Sequence, residues 1–296
     1  MVNMVAVMIA VGAIIMVTNI YRYIQFMKST RDVLSSGVSQ DRIWELIALA
    51  LLIFFLIGYI FVGVLGKPDL MVAGILFGGS LFVAIVMTLL FRLVKTVKDN
   101  CINIAETLIG VVDARDPNLK GHSRYVRNVT MLLYDNLPAQ NREGINRVSL
   151  EFAALMHDVG KLGIPEQILN KPYPLSDDEW EIMKTHPRLG VNILKPLGSF
   201  SEILPWIEYH HERLSGNGYY GIPESQIPYA AKIIAVADTY AAITMRRSYK
   251  PPRAHEEAVK IMKEVSGEQL DQELVDIFCS IPKIDLLACV PETVEV

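Results

Sequence analysis

The sequence predicts an all-α protein in which three membrane-spanning helices precede a helical globular domain. Two observations carry this expectation. The hydrophobic fraction of the 296 residues is 51%, and the excess is concentrated before residue 95 in three apolar runs. Beyond that point apolar residues recur at helical spacing, and alternating strand patterns are scarce. The expected organisation is a membrane domain over residues 1–95, a connecting helix over 96–114 and a globular domain over 100–296.

The apolar runs extend over Met4 to Tyr21, Ile43 to Leu65 and Leu70 to Phe91. Each is close to the roughly 20 helical residues that a bilayer requires. Positive charge follows the first run instead of preceding it, which argues against a cleaved signal peptide. Arg22, Lys28, Arg31 and Arg42 separate the first two runs, and Arg92, Lys95 and Lys98 follow the third. Only the short turn Gly66-Lys67-Pro68-Asp69 joins the second to the third. The positive-inside rule therefore places the N-terminus outside and everything after residue 95 in the cytoplasm. So short an outer turn excludes a large external sensor domain. Gly74 and Gly78 form a GxxxG motif suited to close helix packing or dimerisation, although small residues are common in such helices. Glu45, at the start of the second run, is expected to reach back to the interface.

In the second half, helical periodicity runs through Ile104, Leu108, Val111 and Val112, then Val126, Val129, Leu132 and Leu133. It resumes through Val148, Phe152, Leu155 and Met156. Ser176-Asp-Asp-Glu is a capping box that opens a helix carrying Trp180, Ile182 and Met183. A short hairpin is expected near Gly216 to Gly221. The formal net charge of −4 gives no electrostatic case for DNA or RNA as a partner. Three cysteines, Cys101, Cys279 and Cys289, lack CxxC spacing and read as reduced thiols.

Five of the six histidines stand in settings that suit metal ligation. His157 adjoins Asp158, His186 is expected at the end of the capped helix before Pro187, His210 and His211 are adjacent, and His122 opens a helix. Asp238 lies inside the apolar run Ile-Ile-Ala-Val-Ala-Asp, where a carboxylate is costly unless paired, hydrogen-bonded or bound to a metal. Imidazole and carboxylate without thiolate suit ions such as Fe, Mn, Zn or Ni. Five histidines and two aspartates exceed the needs of one tetrahedral ion. They match two ions about 3.5–4 Å apart, an arrangement used for in-line phosphoryl displacement. Any one of these histidines alone would more often be a hydrogen-bonded core residue.

The segment "ALMHDVGKLGIPEQILNKPYPLSDDEWEIMKTHPRLG" from Ala154 resembles the HD-GYP family, a branch of the HD metal-dependent phosphohydrolases. So does "HHERLSGNGYYGIPESQIPYAAKIIAVADTYAAIT" from His210, and the likeness runs from about Glu106 to Phe278. The resemblance implies a helical HD-type phosphohydrolase domain with a metal centre, usually iron or manganese, that hydrolyses cyclic di-GMP in bacteria. The implied ligands are His122, His157, Asp158, His186, His210, His211 and Asp238, with Asp158 bridging. Asn118 stands where members with a third ion carry a glutamate, so two divalent ions are expected. Asp158 and Lys161 are the expected catalytic pair, Lys161 resembling the family's phosphate-contacting lysine. Candidate substrate contacts are Lys161, Arg213, Gly218, Tyr219, Arg247 and Lys250. Linear pGpG is the expected first product and GMP a further one. The three apolar runs give the bacterial inner membrane as the expected setting and the lipid bilayer as a partner. A second copy of the chain is expected because paired helices commonly couple membrane spans to a domain.

The signature loop departs from the family pattern. Where the family reads Asp-Gly-x-Gly-Tyr-Pro, this chain has Ser215-Gly216-Asn217-Gly218-Tyr219-Tyr220. Ala241 replaces a common aspartate, and Arg247-Ser248-Tyr249-Lys250 replaces Arg-Pro-Tyr-Arg. Loss of the proline is expected to free the loop backbone, and loss of two carboxylates to loosen contacts behind the ligands. Three readings follow: a cyclic di-GMP phosphodiesterase, a catalytically weak nucleotide-binding signalling protein, and a phosphohydrolase for another nucleotide such as cyclic GMP-AMP. Product formation separates the first and third from the second.

Overall fold

Each apolar run folds as one helix: α1 (Val2–Arg31), α2 (Ser39–Leu65) and α3 (Leu70–Arg115). The computed structural model describes residues 2–31, 39–66, 68–115, 121–196, 201–246 and 251–292. Three stretches are long and apolar enough to cross a membrane: Met4–Met27, Leu46–Leu65 and Leu70–Thr96. The last occupies only the first part of α3, which continues unbroken to a length of 46 residues. The side chains of Glu45, Lys98 and Cys101 lie outside the described residues, and so do the expectations attached to them. The chain divides into two compact units, Met1–Cys101 and Ile102–Val296.

The first unit inverts the pattern of a water-soluble bundle. Phe54, Phe61, Ile75 and Phe82 are exposed, while the buried positions include Asn19 and Ser80. Large apolar side chains facing outward on every helix suit hydrocarbon and not water. Between the helices, Asn19 Nδ2 donates to Ser80 O at 3.3 Å, and the Tyr59 hydroxyl donates to Leu76 O. Gly12 is needed where α1 meets Tyr59, because a Cβ there would stand 2.7 Å from the ring. Such small-residue contacts and interhelical hydrogen bonds replace the hydrophobic drive that is missing in lipid.

Among its described residues the second unit is built of helices joined by irregular segments, with an isolated bridge between Ser266 and Leu270. After α4 (His122–Asn136) and α5 (Arg147–Met156) come three short helices, α6 (Glu166–Leu169), α7 (Asp177–Met183) and α8 (His186–Leu194). Then follow α9 (Leu204–Glu208), α10 (Tyr229–Thr244), α11 (His255–Glu264), α12 (Gln272–Ser280) and α13 (Lys283–Ala288). The central element is α10, packed by α4, α9, α11 and α12. Its Ile-Ile-Ala-Val-Ala run is buried nearly all round, which explains why it lacks the polar face of a surface helix. Tyr125, Tyr240 and Phe278 form the aromatic centre of this core. Asn146 caps α5, and Ser176 with Glu179 forms the capping box expected for α7.

Two local expectations are corrected. No hairpin forms at Gly216 to Gly221; the segment is irregular, because Glu212 takes the backbone N–H groups that a ladder would need. The capped helix also stops at Met183 and does not run on to His186, which instead opens α8. Pro187 has no N–H to return to the Met183 carbonyl, so the helix cannot continue through it.

Candidate metal centre

Three of the histidines are set by the same local device. His157 Nδ1 donates to Ala154 O at 2.8 Å, His186 Nδ1 to Met183 O at 2.9 Å, and His210 Nδ1 to Ile207 O at 2.7 Å. Each acceptor is a carbonyl at the C-terminal end of the preceding helix, α5, α7 or α9, where the helix leaves carbonyls without an internal partner. At Met183 the imidazole takes the carbonyl that Pro187 cannot use. Because a carbonyl only accepts, Nδ1 carries the hydrogen in all three, and in the neutral imidazole Nε2 is left with a lone pair. Those three Nε2 atoms, together with Asp158 Oδ1, are buried and unpartnered.

The remaining candidates complete one cluster. Asp238 projects from α10 and lies 3.0 Å from His122 Nε2 at the start of α4. Asp158 sits between the sets: Oδ2 is 3.3 Å from His157 Nε2 and 3.8 Å from His122 Nε2, and Oδ1 is 3.2 Å from His186 Nε2. His211 Nδ1 is 4.0 Å from Asp238 Oδ2. Asp158, His186, His210 and His211 have donor atoms within 4.8 Å of one another, as do His122, His157 and Asp158, and His157, His210 and Asp238. All seven candidate ligands therefore fall into groups of metal-binding size, and Asp158 belongs to two of them. Nε2 atoms of His157 and His186 face carboxylate oxygens of Asp158 at hydrogen-bond distance, an arrangement favourable around a shared proton or a shared metal cation. The donor set fits divalent metal ions.

Glycines let the segments approach. A Cβ at Gly160 would stand 1.8 Å from His186 O and 2.4 Å from Gly190 N, so the turn after Asp158 lies directly on the backbone of α8. Lys161, on the same turn, reaches Asp158 Oδ2 at 2.6 Å and is 16% exposed. Arg115, the last residue of α3, donates to the carbonyls of Leu162 and Ile164 just beyond it.

The charge states favour metal over protons at most ligands. Burial pushes His210 down to about 3 and His211 well below its usual value, with nearby imidazoles adding to both. Burial also lowers His122, against the pull of Asp238. Burial opposes charge on His157 as well, but Asp158 outweighs it and the group is raised. Burial alone would raise Asp158, yet Lys161 and His157 hold it well below the carboxylate range. Asp238 is held down in the same way, His122 overcoming the effect of its burial.

A pH dependence of the metal-free protein follows. His210 titrates near 6.5 in the unfolded chain and near 3 in the folded one. Between those values the unfolded state binds a proton that the folded state refuses, so stability is full above about 6.5 and falls with pH. His122 and His211 act in the same direction, and His157 opposes them. The thermal midpoint, read by tryptophan fluorescence, is expected to fall on the order of 5 °C or more from pH 7 to pH 5. An unchanged midpoint would contradict neutral imidazoles in the cluster.

The other candidates are less uniform. Tyr219 lies against His211 with ring centroids 4.4 Å apart and lines a cavity of about 670 Å³ together with His122, Asp158, Lys161, His186 and Asp238. Arg213 is exposed and is not among the lining residues. Gly218 is not among them either; a Cβ there would meet Glu212 at 2.6 Å, so its smallness serves the loop. Arg247, Lys250 and Asn118 lie outside the described residues.

The variant loop is not freed by loss of its proline. Tyr220 N donates to Glu212 Oε1 at 2.7 Å, a bond that proline could not make. Its hydroxyl donates to Lys184 O at 3.2 Å, and the Arg188 guanidinium stands 3.9 Å above its ring. Sequence reasoning passed over Glu212, which is buried beneath the loop and also accepts from Ile222 N at 3.2 Å. Its signal was the placing of an acid directly after two candidate ligands. Ala241 is fully buried in the core.

A helical domain with a buried histidine–aspartate cluster able to hold metal ions defines a metal-site protein of the phosphohydrolase kind. The chain belongs to the HD domain family, which matches residues 106–274. The resemblance to the HD-GYP branch agrees with this. The chain is similar to a cyclic di-GMP phosphodiesterase of Thermotoga maritima, 40% identical over 142 residues, covering 45% of this chain and 37% of that protein. It is 34% identical over 201 residues to a cyclic di-GMP phosphodiesterase of Vibrio cholerae, covering 64% and 40%. It is also 34% identical over 164 residues to the 3′3′-cGAMP-specific phosphodiesterase 3 of Vibrio cholerae, covering 55% and 35%. The chain thus spans between 35% and 40% of the length of these curated relatives.

Proposed function

We propose that the chain is a membrane-anchored, metal-dependent phosphodiesterase that opens cyclic di-GMP to linear pGpG, with GMP as the product of a second cut. The observation that carries this reading is Asp158, which is shared between two groups of ligand atoms and lines the cavity. His122, His157, Asp158, His186, His210, His211 and Asp238 hold two divalent ions, iron or manganese. Bound there, the ions supply Lewis acidity and acidify water to near neutrality. Asp158 and Asp238 provide the anionic charge that retains the cations. Lys161 offsets charge on the nonbridging phosphate oxygens, from a turn that Arg115 fixes in place. Tyr219 closes the His211 side of the cavity.

The three apolar helices anchor the chain in the inner membrane of a bacterium with the N-terminus outside. Arg92 and Lys95 at the end of the third span support that orientation. The chain acts as a homodimer, a reading supported by Gly74 and Gly78, which meet nothing within 4 Å and leave a face open for a second helix.

The test is anaerobic reconstitution of the full chain in detergent with Fe(II) or Mn(II), followed by chromatography of cyclic di-GMP reactions. Formation of pGpG or GMP supports the reading, and its absence at two bound ions per chain overturns it. Similarity to a 3′3′-cGAMP-specific enzyme favours cyclic GMP-AMP as a second candidate substrate. Much faster turnover of that compound would reassign the substrate. Lys161→Ala is expected to lower kcat about 100-fold with both ions retained. An unchanged kcat would remove Lys161 from the chemistry.

A further inference from the structure

The cavity has a chemically distinct mouth. Among the described residues of the second unit, Tyr173 and Trp180 are the two exposed large aromatic side chains, at 74% and 45%, and both line the cavity. An aromatic face in water is unfavourable, and both of these residues line the same cavity. We propose that Tyr173 and Trp180 form a stacking surface for a nucleobase of the substrate, a role that rests on the phosphodiesterase reading above.

The segment that presents Tyr173 is restrained on both sides. Pro172 and Pro174 flank it, and a following proline keeps the Tyr173 backbone out of the helical region. Asn170 Nδ2 donates to Arg115 O at 3.2 Å on one side of the strap, and Ser176 caps α7 on the other. Between them Lys171 Nζ bonds Glu179 Oε2 at 2.5 Å, tying the strap to the helix that carries Trp180. Both rings therefore ride on one braced unit, and little freedom is lost when a flat ligand settles on them.

The placement suits a nucleotide. Trp180 stands edge-on to Tyr219, with centroids 6.0 Å apart and planes at 81°. Tyr219 in turn lies on His211 at 4.4 Å. A single aromatic ring thus separates Trp180 from a candidate metal ligand, much as one ribose separates a nucleobase from its phosphate. A base on Trp180 would leave its phosphate toward His211, which lines the same cavity as Asp158 and Lys161. The volume of about 670 Å³ lies within the range of small-molecule sites. Stacking is tolerant of base identity, so this surface supplies affinity for purine nucleotides in general.

The test is calorimetric binding of GMP and of ribose 5-phosphate, which lacks the base, to the Mn(II)-loaded full chain in detergent. The intact protein is expected to prefer GMP. Trp180→Ala and Tyr173→Ala are each expected to weaken GMP binding roughly 10-fold and leave ribose 5-phosphate unchanged. Trp180→Phe and Tyr173→Phe restore the preference. Equal GMP affinity in the intact and alanine forms overturns the proposal, and does so even if cyclic di-GMP is hydrolysed. A base preference lost in the alanine forms upholds it even where cyclic di-GMP is not turned over, since only the reaction reading then fails. Equal weakening of both ligands marks general damage to the site and also overturns it.

Discussion

Asp158→Ala is expected to abolish hydrolysis of cyclic di-GMP and to empty both metal positions together. Asp158 supplies an oxygen to two separate groups of ligands, one with His186, His210 and His211 and the other with His122 and His157. No other candidate ligand reaches imidazoles on three different segments at 3.8 Å or less. Removing its carboxylate also strands Lys161, which is bonded to Oδ2 at 2.6 Å and would then add uncompensated positive charge to a cation site. Metal content by elemental analysis is expected to fall from two ions to less than one per chain, with activity down at least about 1,000-fold. His211→Ala is the informative contrast. His211 belongs to one group and is partly exposed, so that variant is expected to keep one ion. Two ions retained in Asp158→Ala would refute the shared role.

Gly160→Ala is expected to damage the site without touching a ligand. The added methyl would fall 1.8 Å from His186 O, 2.4 Å from Gly190 N and 2.8 Å from His186 C, all backbone atoms of one helix. Neither segment can yield by rotating a side chain, so α8 must move away from the turn that carries Asp158 and Lys161. The cost is about 3 kcal/mol of stability, the upper part of the range for overpacking. A displacement near 1 Å at His186 is enough to reduce turnover about 100-fold. Gly163→Ala provides the control. Its Cβ would meet Leu189 Cδ1 at 2.9 Å, the far end of a flexible side chain that can turn aside. Thermal unfolding and activity measured on both variants should therefore diverge, and equal tolerance would show that the close approach at Gly160 is not needed.

The elements that could be read from sequence were those whose cause is local or periodic. Apolar run length marks the three membrane helices, and the Ser176 capping box marks the start of α7, because both are written in consecutive residues. The seven candidate ligands were legible from residue type and from the likeness to a known family. Their meeting point was not. It depends on Gly160 crossing Gly190 and on α10 passing between α4 and α9, contacts that join residues distant in the chain. The loop at Tyr220 was misjudged for a related reason. Its restraint comes from Glu212, Lys184 and Arg188, three partners supplied by tertiary structure. Read as a substitution alone, tyrosine for proline suggests added freedom. In the fold it supplies an N–H, a hydroxyl and a ring face, and all three are used.

The carbonyl bonds of His157, His186 and His210 have a bearing on how the site acquires and exchanges its ions. Each imidazole is oriented by the three residues that precede it, not by the ions or by the other imidazoles. The donors are thus aligned as soon as α5, α7 and α9 have formed. For these three donors, loading an ion is expected to need no further ordering of the side chains. One divalent ion is then expected to replace another without turning these imidazoles, so that metal supply as well as affinity would set the occupant.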